Sequence, residues 1–288
     1  VPSLGLFAPA KINFWLEVIG KRADGYHELS TLMLPIGIYD RVEISLTPHD
    51  ITLECSDPYL PNDAGNLAWL AADCYLREAG TETGVHIKLE KNIPVGAGLG
   101  GGSSDAGAVL GILDQLLAHP LSSTRLHTVA RRLGADVPFF LHPRAALATG
   151  IGDQLWAVSG LPPYPLLLIK PPVFVGTAGV YGRLALTRGA SRISIQMFVD
   201  RPWNVQPFMQ NDLESVTAGD CPVIAQIKQW LLKNGAIGAL MTGSGPTVFG
   251  VFRHIEDARA AEVEARKAWP TCWVQATTVL QNGLKIDI

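Results

Sequence analysis

The chain has 288 residues, 48% of them hydrophobic and 17% charged, with a formal net charge of −3. This composition excludes a disordered chain, and a weakly acidic balance with no dense Lys/Arg run argues against a nucleic-acid partner. No uninterrupted apolar run reaches the length of a membrane span, and Cys55, Cys74, Cys221 and Cys272 form neither a C-x-x-C pair nor a zinc spacing, so a reduced, cytoplasmic protein is expected.

At the start, GLFAPA has the small residues of a cleavage site. It lacks a basic n-region and Lys11 follows at once, so no signal peptide is expected. LFAPAKINFWLEVIG and RVEISLTP read as strands, the second alternating through Val42, Ile44 and Leu46. Between Asn66 and Leu76, the residues Leu67, Leu70, Ala71 and Cys74 share one helical face, and Gly80 stands close behind as a stop. VHIKLEKNIPV alternates Val85, Ile87 and Leu89 against His86, Lys88 and Glu90, as a strand with one wet face does. A dense glycine run follows. Behind it Ala106, Val109, Leu110, Leu113, Leu116 and Leu117 predict a helix from about Ser103 to Ala118. A further helix is predicted over about Ser123 to Leu133, with Gly134 at C′ and Asp136 just beyond.

LPPYP, residues 161–165, marks the expected division into domains 1–160 and 161–288. The second half reads β-α-β-β-α-β. LLLIKPP is a strand, and Ile224, Ile227, Trp230 and Leu231 mark a helix ending at Asn234-Gly235. AIGALMTG and TVFGVF are strands joined by a second glycine turn, Glu256 to Ala268 is a helix, and CWVQATTVL is a last strand. That order predicts a ferredoxin-like split βαβ layer within an α+β protein. Residues 185–210 show no period and are expected to be irregular.

The glycine run PVGAGLGGGSSDAG holds a literal G-x-G-x-x-G, Gly96 to Gly101. A dinucleotide site also needs a second strand ending in an acid roughly 20 residues on. Here SSTRLHTVARRLG follows and is helical. A P-loop needs Lys after its glycines, and none is present. What remains is an anion loop at a helix N-terminus, where open N–H groups and the helix dipole favour phosphate. Ser103 and Ser104 either cap this helix or turn their hydroxyls toward phosphate or a metal.

Three segments together resemble the GHMP kinases: PAKINFWLEVIGKRADGYHELSTLM as the first motif, PVGAGLGGGSSDAG as the second and MTGSGPTVFGVF as the third. The first motif, together with GADVPFF, resembles the branch acting on a CDP-linked methylerythritol. The resemblance covers nearly the whole chain and is weakest from about 185 to 210. It implies a two-domain α+β fold with the site in the cleft, an N-terminal nucleotide-binding domain and a C-terminal ferredoxin-like domain. It also implies ATP-dependent phosphorylation of the 2-hydroxyl of the CDP-linked polyol in non-mevalonate isoprenoid synthesis, in a monomer or weak homodimer without nucleic-acid or membrane partners. Competing readings are a kinase for another small alcohol (mevalonate or homoserine), a nucleotide-binding protein without turnover, and a Rossmann oxidoreductase.

The resemblance also implies roles. Asp136, by itself a turn-capping residue, becomes the base, and Lys11 its partner at the reacting hydroxyl. Pro94, Val95, Gly96, Ala97, Gly98, Leu99, Gly100, Gly101, Gly102, Ser103 and Ser104 form the ATP loop. Asn66 and Lys91 match contacts around adenine, although they equally read as a helix N-cap and a solvated strand end. Tyr26 and His27 read the cytosine, Tyr181 stacks on it near Thr177, and Asn13 meets the polyol. Gly243, Ser244 and Gly245 close the cleft near the substrate phosphates. Mg²⁺ is expected with ATP, and no carboxylate set dedicated to it is visible. Histidines 49, 86, 119, 127, 142 and 254 lack ligand spacing and are expected to be structural or on the surface.

Overall fold

A computed structural model of the chain describes residues 2–118, 121–185 and 194–281, together with the backbone of 285–287. Two long strands frame it. β1 (Ser3–Lys21) and β2 (His27–Thr47) run antiparallel, with register shifts at Pro9/Ala10, Asn13/Trp15 and Val18/Gly20. Such bulges twist a strand and re-aim its side chains. The even-numbered residues of β1 feed three cores in turn: Leu6 and Ala8 the first, Ala10, Ile12 and Phe14 the second, Leu16 and Val18 the third. Lys11 and Asn13 have the opposite parity and line a cavity.

β3 (Ile51–Cys55) lies parallel to β4 (Gly84–Glu90), and β4 is antiparallel to β2. Between them α1 (Leu67–Ala79) starts at Asn66, whose side chain accepts from Ala68 N–H, and ends at a left-handed Gly80, as its sequence indicates. α2 (Gly101–Leu116) follows the glycine run and is buried along most of its length. It begins two residues earlier than the apolar spacing suggests. Gly100, at φ +73°, is the N-cap, and no serine caps the helix. Next come α3 (Ser123–Leu133), α4 (Val137–Leu141), and the hairpin of β5 (Ala146–Gly150) and β6 (Gln154–Ala157), with β5 paired to β2. Gly134 does end α3, but in extended backbone rather than as a left-handed C′ residue.

β7 (Pro165–Lys170) opens a second sheet. After it come α5 (Thr177–Arg183), α6 (Ile195–Asp200), α7 (Glu214–Asp220), α8 (Val223–Lys233), β8 (Gly238–Met241), β9 (Val248–Val251), α9 (Ile255–Ala268) and β10 (Trp273–Thr278). The sheet order is β10-β7-β9-β8, antiparallel throughout, which is the ferredoxin-like arrangement. One face of this sheet packs on α8 and α9, and the other joins the β1 residues Ala10, Ile12 and Phe14. β11 (Lys285–Asp287) pairs with β1 and completes a seven-stranded first sheet. The segment 185–210 is not wholly irregular: 195–200 is helical and buries Phe198. A six-residue helix with one buried side chain leaves no period to read, and residues 186–193 lie outside the described part.

Candidate active site

A cavity of about 920 Å³ opens where β1, β2, the glycine run, the start of α1, α5 and the β8–β9 turn meet. At one end lies the glycine run. Gly96, Gly98 and Gly100 have φ of +62°, +74° and +73°, while Ala97 and Leu99 between them do not enter that region. This alternation turns successive N–H groups to one side and makes a nest for an anion. Ala97 and Leu99 anchor the run by burying their side chains, and the Leu99 carbonyl accepts from Lys11 N–H at 2.9 Å. Pro94 and Val95 lead into the nest, and Gly101, Gly102 and Ser103 add the open first turn of α2 along the cavity wall.

Ser104 departs from its expected place on the phosphate. It is buried, outside the cavity lining, and its hydroxyl donates to the Pro9 carbonyl at 2.7 Å. It ties α2 to β1. Gly243 and Ser244 line the cavity, but Gly245 does not. A Cβ on Gly245 would lie 2.5 Å from the Met241 sulfur, so that glycine serves the turn's own packing. The two glycine turns touch backbone to backbone: a Cβ on Gly98 would lie 2.5 Å from the Thr242 carbonyl oxygen, and one on Gly243 would lie 3.2 Å from that of Gly98.

Lys11 and Asp136 meet at the cavity floor. Lys11 is buried, donates to Asn13 Oδ1 at 2.6 Å, and stands 3.5 Å from Asp136 Oδ2. A buried ammonium needs such partners to stay charged. The Asp136 side chain is 34% exposed, open to whatever fills the cavity. Asn13 is fixed on all sides: its amide donates to Thr31 Oγ1 at 2.8 Å, and its N–H donates to Thr242 Oγ1 at 2.9 Å.

At the far end His27 and Tyr181 stack, with ring centroids 5.2 Å apart. Burial, with the charge of Asp136 added, pushes the Tyr181 hydroxyl pKa up, so that hydroxyl stays protonated. Tyr26 is exposed at the rim, and Thr177 shares a 2.9 Å hydrogen bond with Ser244, tying α5 to the β8–β9 turn.

Lys91 is not a solvated strand end. Its ammonium bridges Asp40 and Asp105, reaching Asp105 Oδ2 at 2.6 Å. Burial works against its charge, yet the two carboxylates outweigh it and raise the pKa. Asp40 also accepts from the N–H groups of Asn92 and Ile93. Burial pushes the Asp105 carboxyl up to about 8, with Lys91 opposing and Asp40 adding. Asn66 lines the cavity, but both ends of its amide are committed, to Ala68 N–H and to the Pro61 carbonyl. Among the described residues no group of three or more His, Cys, Asp or Glu is placed to hold a metal ion. His86 pairs with Thr52, His254 starts α9, and His119 lies outside the described residues.

Residues 66–144 match the family described as the GHMP kinases N terminal domain, and residues 204–271 match GHMP kinases C terminal. The chain is 46% identical over 269 residues to the 4-diphosphocytidyl-2-C-methyl-D-erythritol kinase of Geobacter sp. (strain M21), spanning 92% of this chain and 96% of that protein. The chain belongs to the GHMP kinase family. This GHMP kinase is also 48% identical over 265 residues to the 4-diphosphocytidyl-2-C-methyl-D-erythritol kinase of Syntrophotalea carbinolica, spanning 91% of the chain and 95% of that relative. A crystal structure of 4-(cytidine 5'-diphospho)-2C-methyl-D-erythritol kinase superposes with a TM-score of 0.82 at 38% identity, covering 96% of this chain and 99% of that one. The homoserine kinase from Cytophaga hutchinsonii shares the fold, with a TM-score of 0.76 at 24% identity over 99% of this chain and 97% of its own.

Sequence reasoning missed several residues of this kinase's site. Ile151 and Gly152 line the cavity behind β5, and the G-I-G of residues 150–152, with left-handed Gly150 and Gly152, was the available signal. Ala135 and Thr31 also line it. Asp40 has no local signal: it reaches Lys91 across 51 residues of sequence.

Proposed function

We propose that this kinase transfers the γ-phosphoryl group of ATP to the 2-hydroxyl of 4-diphosphocytidyl-2-C-methyl-D-erythritol. The observation that carries the reading is one cavity with three compartments: a glycine nest, a Lys11–Asp136 pair 3.5 Å apart, and an aromatic pair beyond it. The nest suits the nucleotide phosphates, because its alternating glycines bring unpaired N–H groups to the cavity wall. The His27–Tyr181 stack, with no room for a third ring between its members, offers an outer face to the cytosine while Tyr26 covers the rim. Asn13 and Ser244 hold the polyol and the substrate phosphates between them.

Asp136 acts as base by orienting the hydroxyl and taking its proton as the oxygen–phosphorus bond forms. A carboxylate is far too weak a base to ionise an alcohol in advance. Lys11, 3.5 Å from Asp136 Oδ2, orients that carboxylate and steadies charge on the phosphoryl oxygens. Mg²⁺ bound with the nucleotide would neutralise phosphate charge, and on the protein side a serine hydroxyl on the cavity wall, Ser103, would be available to it beside phosphate and water. We place the division between the two lobes near residue 160, where the chain leaves the first sheet for the second. The test is coupled ADP release with the CDP-linked alcohol, mevalonate and homoserine in parallel. Turnover of the CDP-linked alcohol alone is expected. Preference for either of the others would overturn the substrate assignment.

A further inference from the structure

The glycine nest belongs to the first sheet's half of the molecule, yet one of its carbonyls is held from the other half. Thr242, in the turn after β8, is fully buried. Its hydroxyl accepts from the Asn13 N–H at 2.9 Å and donates to the Gly98 carbonyl at 3.4 Å. One hydroxyl therefore joins the β8–β9 turn, the strand carrying Lys11, and the glycine run. No water reaches it to replace either bond.

The direction of these bonds matters. In a trans peptide the carbonyl and the N–H of one unit point opposite ways. With the Gly98 carbonyl turned to Thr242, the Leu99 N–H points away from Thr242. With the Leu99 carbonyl turned to Lys11 N–H, the Gly100 N–H likewise points away from β1. Neither N–H has an acceptor among the described residues, and Leu99 and Gly100 both line the cavity. The close backbone approach of Gly98 to Thr242 leaves the carbonyl little freedom to turn elsewhere.

We infer that Thr242 is a positioning residue for the nucleotide: by holding the Gly98 carbonyl and the Asn13 N–H, its hydroxyl aims the Leu99 N–H at the phosphates and sets the nest in register with β1. This rests on the reading of the nest as the phosphate site. The test compares Thr242→Val, which keeps the branched shape and removes the hydroxyl, with Thr242→Ser, which keeps the hydroxyl. Calorimetric titration with a non-hydrolysable ATP analogue reads the nest directly, and kcat/KM for ATP reads it in turnover. With circular dichroism showing the native fold and titration carried out well below the lowered melting temperature, Thr242→Val is expected to weaken analogue binding about ten-fold, equivalent to ~1.4 kcal/mol, and to lower kcat/KM for ATP by the same order. Thr242→Ser is expected to stay within about three-fold of the unmodified protein, because the hydroxyl alone carries both bonds. Should the valine variant not fold, Thr242→Cys replaces it, since a thiol is only a weak donor and acceptor. Binding within about two-fold of the unmodified protein in the hydroxyl-free variant, or a serine variant as impaired as the valine one, overturns the inference. If the unmodified chain binds no ATP analogue, the phosphate reading itself falls and Thr242's role with it.

Discussion

Lys11 and Lys91 line the same cavity and both are buried, yet their charges are held in opposite ways. Lys91 touches two carboxylates directly, and one of these, Asp40, is further held by two backbone N–H groups. Its charge is used inside the protein, binding β2 and the end of β4 to α2 beside the glycine nest. Lys11 has one amide oxygen at 2.6 Å and a carboxylate standing off at 3.5 Å that is a third exposed. Its charge and the oxygens of Asp136 are left for a ligand. On the proposed function the chemistry falls to the under-committed pair, and the over-committed one is structural.

The contrast can be broken in order of expected effect. Asp136→Asn should lower kcat by about 10²–10⁴-fold, the usual range for a lost general base, with KM for both substrates changed only modestly. Near-normal turnover in an ADP-release assay would remove Asp136 from the role of base. Lys91→Met should act on stability instead. It leaves the buried carboxyl groups of Asp40 and Asp105 without their cation and should cost about 3–5 kcal/mol in denaturant unfolding, while the folded fraction keeps most of its turnover. A variant of full stability and lost turnover would place Lys91 among the reacting groups.

A subtler test uses Asp105, whose carboxyl is pushed up to about 8. Between an ordinary carboxyl value of about 3.9 and that value, the native state holds a proton that the unfolded state has released. This contribution is therefore complete at low pH and is lost as pH rises through about 8. Unfolding midpoints at pH 5 and pH 8 should show it, and Asp105→Asn should flatten the difference. The smallest effect is expected from Ser104→Ala, at about 1 kcal/mol of stability with no change in KM for ATP, because its hydroxyl serves the Pro9 carbonyl. A rise in that KM would return Ser104 to the phosphate site.

What the sequence made legible follows from range. Gly80 as a left-handed stop and Asn66 as an N-cap are local features, and both are as read. The second-half element order carried the ferredoxin-like sheet because β7, β8 and β9 are compact apolar runs. The glycine run was readable as a loop at a helix N-terminus, but not the fate of Ser104, which depends on Pro9, 95 residues away. Lys91 looked solvated because Asp40 is brought to it only by the pairing of β2 with β4. The short elements β3, α4, β5 and β6 escaped because four or five residues do not establish a period.

β1 gives side chains to three cores in succession, and Lys11 stands midway along it. A rod shared this way leaves little room for one half of the molecule to melt while the other stays intact. Loosening of any one core reaches Lys11 through a single continuous backbone. The amide hydrogens around Ile12 should accordingly exchange with solvent only through whole-molecule opening, at the slow limit set by global stability.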